Sequence, residues 1–280
     1  MNAERLRQPS PVLVAELFPE LRRNMIELFN SLSEEEWSLR TSAPLWNVKD
    51  VALHLLGGDI GILSRQRDAF SPPGPSIGGW DELVKFINDL NQKWLQATRR
   101  LSVRILIDLL AHTGPQVEAY FASLDLFALG DSVSWAGPGA APVWLDLARE
   151  YTERWHHQQQ IRDATSRPGL YEERLFAPAL DAFVRALPHT FRSTDAPEGT
   201  TVQLVIEGPG GNQWCLRKAA AWELLVGCDS GAAAKVTLAS KDAWKIFTRG
   251  LRGEDARKCA SIQGNAQLAQ NVLEMVSVIA

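Results

Sequence analysis

The 280-residue sequence lacks the motifs that mark the commonest nucleotide-binding sites. It contains no P-loop and no G-x-G-x-x-G fingerprint, so it offers no support for P-loop or dinucleotide chemistry. It has no apolar run of 18 residues, and we expect no membrane-spanning helix. No internal repeat or low-complexity tract is evident. These absences direct attention to scattered polar residues rather than to a local signature.

Cysteine is scarce, with only Cys215, Cys228 and Cys259. They form neither a C-x-x-C pair nor an even set for disulfides, so a reducing compartment fits best and we expect small buried side chains. The first residues are charged and lack the apolar core of a signal peptide. The composition therefore predicts a cytoplasmic protein.

The charge balance shows no excess of basic residues. Lysine and arginine number 29 against 33 aspartates and glutamates, a formal net charge of −4. This balance provides no basic surface for nucleic acid or for an anionic membrane, and we expect neither as a partner. With 45% hydrophobic and 22% charged residues, the chain is typical of a globular protein long enough for two domains.

Helical periodicity dominates the first part of the chain. Apolar residues recur at helical spacing over 11–32, 47–70, 80–100 and 103–129, and again after the breaker at 136–142. The spacing predicts four principal helices in an antiparallel bundle over residues 1–167.

The pattern changes after about residue 198. TTVQLVIEG and QWCLRK alternate with period two around the turn PGGN, which predicts a hairpin. AAWELLVG and AKVTLAS predict two further strands, and two helical segments follow. Residues 168–280 are therefore predicted to form a small α+β domain, giving a mainly α fold class with an α+β second domain.

One polar stretch, TERWHHQQQIRDA at 152–164, has the composition of half a metal site. Glu153 and His157 are four residues apart, so on a helix they share a face and together can chelate a divalent ion. His54 on a facing helix is the natural third ligand, and three protein ligands plus water are typical of a catalytic zinc site.

A solvated helix face also explains the same stretch. The strongest apolar stripe of this helix runs through Trp144, Ala148, Tyr151 and Trp155, and Glu153 and His157 fall on its opposite side. The adjacent His156 is as available for binding as His157. The residues alone leave the metal site and the solvent face as alternatives.

The helix that carries His54 contains an unusual set of glycines. Gly57, Gly58 and Gly61 lie three, four and seven residues after His54, on its face of the helix. Each costs about 1 kcal/mol of helix stability relative to alanine. Either a closely packed neighbouring helix or room for a ligand beside the histidine would offset that cost.

Two stretches resemble a known family. LWNVKDVALHLLGGDIG, followed about a hundred residues later by EYTERWHHQQQIRDA, is similar to the metal-binding bundle of mycothiol-dependent maleylpyruvate isomerase-like proteins in the DinB-like superfamily. The shared pattern is W-x-V-x-D-V-x-x-H and then E-x-x-x-H. VTLASKDAWKIFTRG and IQGNAQLAQNVL resemble the sterol-carrier-like domain that follows in the family.

The resemblance implies a divalent ion, zinc above all, held by His54, Glu153 and His157 with water in the open position. It also implies that the Glu153–His157 face points into the bundle. A basic residue of the second domain acts near the metal in the family; Arg249 is the best local match for that catalytic role, with Arg252 close behind.

The sequence departs from the family at two points. The family's isomerases often carry aspartate three residues after the last ligand histidine, where this chain has Gln160, and His156 replaces a commonly apolar residue. Both departures concern the substrate, and the glutamine run 158–160 is the feature expected to separate this protein's substrate from those of its relatives.

The resemblance implies a metal-dependent enzyme that uses a low-molecular-weight thiol such as mycothiol. Its reaction would be isomerisation of, or thiol transfer to, a small electrophilic carboxylate, which an arginine would clamp. The alternative is a non-catalytic protein with a structural ion, whose second domain binds a small apolar ligand or a partner. A weaker alternative is an interaction module with a vestigial ion site. The sequence leaves open a monomer or a homodimer.

Overall fold

The computed structural model of the protein describes residues 6–74, 77–227 and 229–278. The first part of the chain is helical, with five long α-helices, one more than the four predicted. They are α1 (Phe18–Asn30), α2 (Val48–Gly61), α3 (Trp80–Thr98), α4 (Val103–Ala122) and α5 (Val143–Ala164). Short 3₁₀ turns cover Ala15–Leu17 and Glu36–Ser38, and a π-helical turn at Ile62–Arg67 continues α2.

Four of these helices supply most of the helical core. In α3 the one fully buried residue is Leu95, so α3 packs as a peripheral element. The main cluster of buried side chains comes largely from α1, α2 and α4, together with Ile161 of α5. Burial of this apolar surface is the main force that holds the helices together.

The second part of the chain combines a sheet with short helices. Its elements are α6 (Glu173–Val184), α7 (Leu187–Thr190), β1 (Thr201–Glu207), β2 (Gln213–Lys218), β3 (Trp222–Val226), β4 (Ala234–Ala239), α8 (Ser240–Phe247), α9 (Gly253–Lys258), β5 (Ala260–Gly264) and α10 (Ala266–Leu273). The strand order is β3-β2-β1-β4-β5, with β1 and β4 parallel and the other neighbours antiparallel. The predicted fold class is confirmed.

The predicted hairpin is present as β1 and β2, whereas β5 was not predicted as a strand. Its five residues, ASIQG, are largely exposed and lack a run of alternating apolar side chains. Pairing with the buried strand β4 makes this segment extended, and the segment's own composition does not reveal it.

The chain divides into two compact units whose segments alternate along the sequence. One unit takes in the described residues up to Leu13, Phe127–Thr152 and the chain from Tyr171; the other takes in Val14–Leu126 and Glu153–Leu170. The division falls within α5, between Thr152 and Glu153. The predicted domain boundary at 167/168 stays a prediction.

Two predictions from composition, on membrane spans and on the cysteines, can be compared with the structure. Across the described ranges, no helix combines the length and apolarity that a membrane span requires. Cys215 is buried in β2, as expected, and Cys259 is half-buried; both are free thiols. Cys228 lies outside the described residues.

Candidate metal centre

The N-terminus of α2 is firmly fixed, and it sets the position of His54 two turns later. The Asn47 side chain accepts a hydrogen bond from the Asp50 backbone N–H, and the Asp50 carboxylate accepts one from the Asn47 N–H. Arg99 then donates two hydrogen bonds to the Asp50 carboxylate, of 2.8 and 2.9 Å. This capping box is the kind of start that specifies a helix locally. The aspartate of the W-x-V-x-D pattern therefore supports the helix that carries His54.

The three predicted ligands come together. Glu153 and His157 lie one turn apart on α5, with 3.4 Å between Glu153 Oε2 and His157 Nε2. His54 Nε2 lies 3.7 Å from the same carboxylate oxygen. One nitrogen or oxygen from each residue lies within 4.8 Å of the others.

This donor set fits a divalent ion such as zinc. Bonds of about 2.0–2.2 Å at tetrahedral angles place neighbouring ligand atoms roughly 3.3–3.6 Å apart. The distances to Glu153 Oε2 are close to that range. Two imidazoles and one carboxylate are also a ligand combination found in catalytic zinc sites.

The polar side chains at 156–160 of α5 are not exposed to solvent. Trp155 and every residue from His156 to Ile161 are buried, and Gln158 and Gln159 are completely inaccessible. The alternative of a solvent-exposed polar face is therefore wrong. The helical wheel failed because polar side chains lie on nearly all sides of a helix that is itself covered.

Aromatic rings surround the two imidazoles. The Trp46 indole lies 4.8 Å from the His54 ring and 6.1 Å from the His157 ring, measured between centroids. His156 directly precedes His157 on α5, and the centroids of the two rings lie 4.0 Å apart. His156 does not join the cluster of ligand atoms, whereas His157 does.

Each glutamine of the QQQ run makes a different contact. Gln158 donates to the Leu21 carbonyl of α1 at 2.9 Å, and Gln159 accepts from the Leu170 N–H at 3.2 Å. Gln160 Oε1 lies 2.8 Å from His157 Nδ1. Two of the three therefore bind backbone, and the third binds a candidate metal ligand.

The imidazoles also set the protonation of the Glu153 carboxyl. Burial opposes ionisation of Glu153, but the nearby rings of His157 and His54, followed by His156, outweigh it. They hold the pKa of Glu153 well below its usual range. The carboxylate is thus ready to bind a cation near neutral pH.

The three glycines after His54 serve different purposes. A Cβ at Gly57 would lie 2.8 Å from the Trp94 indole nitrogen, which donates to the Leu53 carbonyl, so Gly57 allows α3 to pack closely. A Cβ at Gly58 would have nothing within 4 Å, and one at Gly61 would meet only the Arg65 side chain. Close packing explains Gly57, and open space remains at Gly58.

Sequence reasoning missed a second polar cluster between the same helices. Arg154 donates to Asp59 Oδ1 and Thr113 donates to Asp59 Oδ2, both at 2.8 Å. The Arg154 guanidinium also lies over the Phe18 and Phe121 rings, at 5.7 and 5.9 Å. Asp59, the one charged residue in the otherwise apolar last two turns of α2, was the available signal, since a buried charge requires a partner.

Arg249 lies in the other compact unit, directly after α8. Its side chain is exposed and its backbone has a φ of 62°, in the left-handed region. Its carbonyl accepts a hydrogen bond of 2.9 Å from Arg252 Nε. The catalytic role of either arginine stays a prediction.

Two solved structures are similar in fold to this chain. Crystal structures of the mycothiol-dependent maleylpyruvate isomerase and of its histidine-to-alanine variant match the chain with TM-scores of 0.56 and 0.55. Each match covers 89% of this chain and 91% of the other at 10% sequence identity, so it establishes likeness of fold. A comparison with curated protein sequences gives no match.

Family membership is shown by a match to a family model. The model of the mycothiol maleylpyruvate isomerase N-terminal domain matches residues 18–162, which include His54, Glu153 and His157. The match spans more than half of the chain, and the protein therefore belongs to the mycothiol maleylpyruvate isomerase N-terminal domain family.

Proposed function

We propose that this protein is a zinc-dependent enzyme that uses a low-molecular-weight thiol of the mycothiol type. It would isomerise a small electrophilic carboxylate or transfer the thiol to it. The convergence of His54, Glu153 and His157 carries the proposal, because three donors from two helices meet in a family whose model covers all of them.

The chain's own groups have distinct parts in such a site. His54 Nε2, His157 Nε2 and Glu153 Oε2 would hold the ion, which would supply Lewis acidity that lowers the pKa of a coordinated thiol or water. The Trp46 ring lies beside both imidazoles, with centroids 4.8 and 6.1 Å away. The open space at Gly58, one turn after His54, leaves room beside the ligands.

The thiol and the substrate class rest on the family and its solved relatives, which are named for mycothiol and maleylpyruvate. A carboxylate substrate requires a cationic partner, and Arg249 is proposed for that role because guanidinium binds carboxylate with two hydrogen bonds. We propose a cytoplasmic location, as expected for a thiol-dependent reaction.

Metal analysis of the purified protein tests the site. We expect one equivalent of zinc in the wild type and less than a tenth of that in His54→Ala and in His157→Ala. His112→Ala, on the exposed part of α4, is the control and should retain full metal. His156→Ala should also retain it. Full metal content in both ligand variants would contradict the proposed site.

A second assay tests catalysis. Consumption of mycothiol, or of a simple thiol, is followed with maleylpyruvate and with simple electrophiles, using wild type and His54→Ala of matched concentration. We expect turnover that requires both the metal and the thiol. Full metal occupancy without thiol binding or turnover would favour a non-catalytic metal-binding protein instead.

A further inference from the structure

The contact between Gln160 and His157 has a direct consequence for the candidate metal centre. Gln160 is 7% exposed and lies three residues after His157 on the same side of α5. Its Oε1 is 2.8 Å from His157 Nδ1. A carbonyl oxygen only accepts hydrogen bonds, so this contact favours the tautomer with the proton on His157 Nδ1.

That protonation leaves the opposite nitrogen of the ring available. In the neutral imidazole, His157 Nε2 then has the lone pair, and it is the atom that lies 3.4 Å from Glu153 Oε2. The ring is 5% exposed and packed between the aromatic rings of Trp46 and His156. Its orientation is fixed before any ion binds.

The chemical type of the partner also matters. The two imidazoles are neutral and Glu153 brings one negative charge, so a divalent ion held by the three ligands keeps a net charge of about +1. The Gln160 amide is neutral and leaves that charge unchanged. An aspartate at the same place would add a second negative charge nearby and reduce the attraction for an anion.

We propose that Gln160 is a positioning residue that holds His157 in its metal-binding tautomer and, because it is neutral, favours an anionic fourth ligand such as a thiolate. The inference rests on the proposed metal site. The proposal thus gives a function to Gln160, a position at which the sequence departs from the family.

The other two glutamines provide matched controls. Gln158 and Gln159 are equally buried neighbours on the same helix, and both contact backbone. Zinc affinity of the full-length protein is measured by competition with a chromogenic chelator for Gln158→Met, Gln159→Met and Gln160→Met. We expect Gln160→Met to bind zinc about 10–100-fold more weakly. Gln158→Met and Gln159→Met should stay within about twofold of wild type in the folded protein.

Gln160→Glu keeps the length and supplies an oxygen acceptor, so it should restore most of the affinity that Gln160→Met loses. Unchanged zinc affinity in Gln160→Met would overturn the positioning role. An equal loss in Gln158→Met would also overturn it, because the effect would then be structural.

Imidazole ¹⁵N NMR of the metal-free protein gives a readout that needs no ion. We expect His157 to be the Nδ1–H tautomer in the wild type and in Gln160→Glu, and a tautomer mixture in Gln160→Met. A mixture in the wild type would overturn the proposal. If instead the wild type shows this tautomer but binds no zinc, the proposed function fails while the local geometry stands.

The charge effect has its own test, with azide as the anionic probe. Azide is titrated into the Co²⁺-loaded wild type and into Co²⁺-loaded Gln160→Asp, and binding is followed by visible absorption. The added carboxylate should weaken azide binding on the order of tenfold. Equal azide affinity in the two proteins would overturn the preference for an anionic ligand.

Discussion

Two polar clusters connect α2 with α5 within a few residues of each other, and they differ in how their charges are satisfied. In the cluster of Asp59, Arg154 and Thr113, each carboxylate oxygen of Asp59 accepts a hydrogen bond of 2.8 Å, one from a guanidinium and one from a hydroxyl. In the cluster of His54, Glu153 and His157, the closest approaches to Glu153 Oε2 are 3.4 and 3.7 Å.

The difference separates a hydrogen-bonded ion pair from a candidate ion site. The Asp59 cluster contains opposite charges at hydrogen-bond distance, and such a pair holds two helices in register. The His54 cluster places three potential ligand atoms within 4.8 Å of one another, a set that could hold an ion. The Asp59 cluster and the His54 cluster thus lie on the same two helices but differ in how their charges are satisfied. Substitutions in the two clusters should therefore have different effects on stability and on metal binding.

The largest expected effect is on the Asp59 cluster. Arg154→Met should lower the free energy of unfolding by about 3–5 kcal/mol, because it leaves Asp59, whose side chain is 6% exposed, without its charged partner. Urea denaturation followed by circular dichroism measures the change.

The double variant Asp59→Leu/Arg154→Met is the control. It should recover much of the loss, since no buried charge then remains, and the Thr113 hydroxyl still donates to the Leu109 carbonyl. A loss below 1 kcal/mol in Arg154→Met would show that the two clusters do not differ in this way.

The second effect is on metal-linked stability. Zinc at 100 times its dissociation constant should raise the free energy of unfolding of the wild type by about 2.7 kcal/mol. It should have no effect on His54→Ala, whose metal-free stability should lie within about 1 kcal/mol of wild type. Denaturation with zinc and with a chelator checks both values; zinc stabilisation of His54→Ala equal to that of wild type would contradict the contrast.

The smallest effect compares adjacent glycines on α2. Gly57→Ala should cost about 1–3 kcal/mol, because its Cβ would displace the Trp94 indole from the Leu53 carbonyl. Gly58→Ala should instead stabilise by about 0.5–1 kcal/mol through helix propensity, as its Cβ has nothing within 4 Å. Thermal denaturation of the two variants measures the difference, and similar losses in both would mean that the space at Gly58 is filled.

The sequence was informative where the determinants are local. The i, i+4 spacing of Glu153 and His157 depends on a single helix, and the structure shows the expected geometry. The alternation in TTVQLVIEG and QWCLRK likewise predicted β1 and β2. The third candidate ligand, His54, was predicted from bundle topology and from the family resemblance.

The sequence was misleading where burial depends on distant residues. The polar face of α5 had the pattern of a solvated surface, yet Gln158 is buried against the Leu21 carbonyl, 137 positions away. The strand β5 and the ion pair between Asp59 and Arg154 depend on similarly remote neighbours. Periodicity describes one helix or strand at a time, so it carries no information about what covers a polar face.

The compactness of the candidate metal centre also bears on how such proteins diverge. The three candidate ligands, the Asn47 cap and Gln160 lie within residues 47–54 and 153–160. Outside these two stretches and their direct partners, such as Asp59 and Arg99, many bundle positions need only remain apolar and of suitable volume, a condition that many sequences satisfy. Most of the chain can therefore change in sequence while the fold is kept, in line with the 10% identity to a solved structure of the same fold.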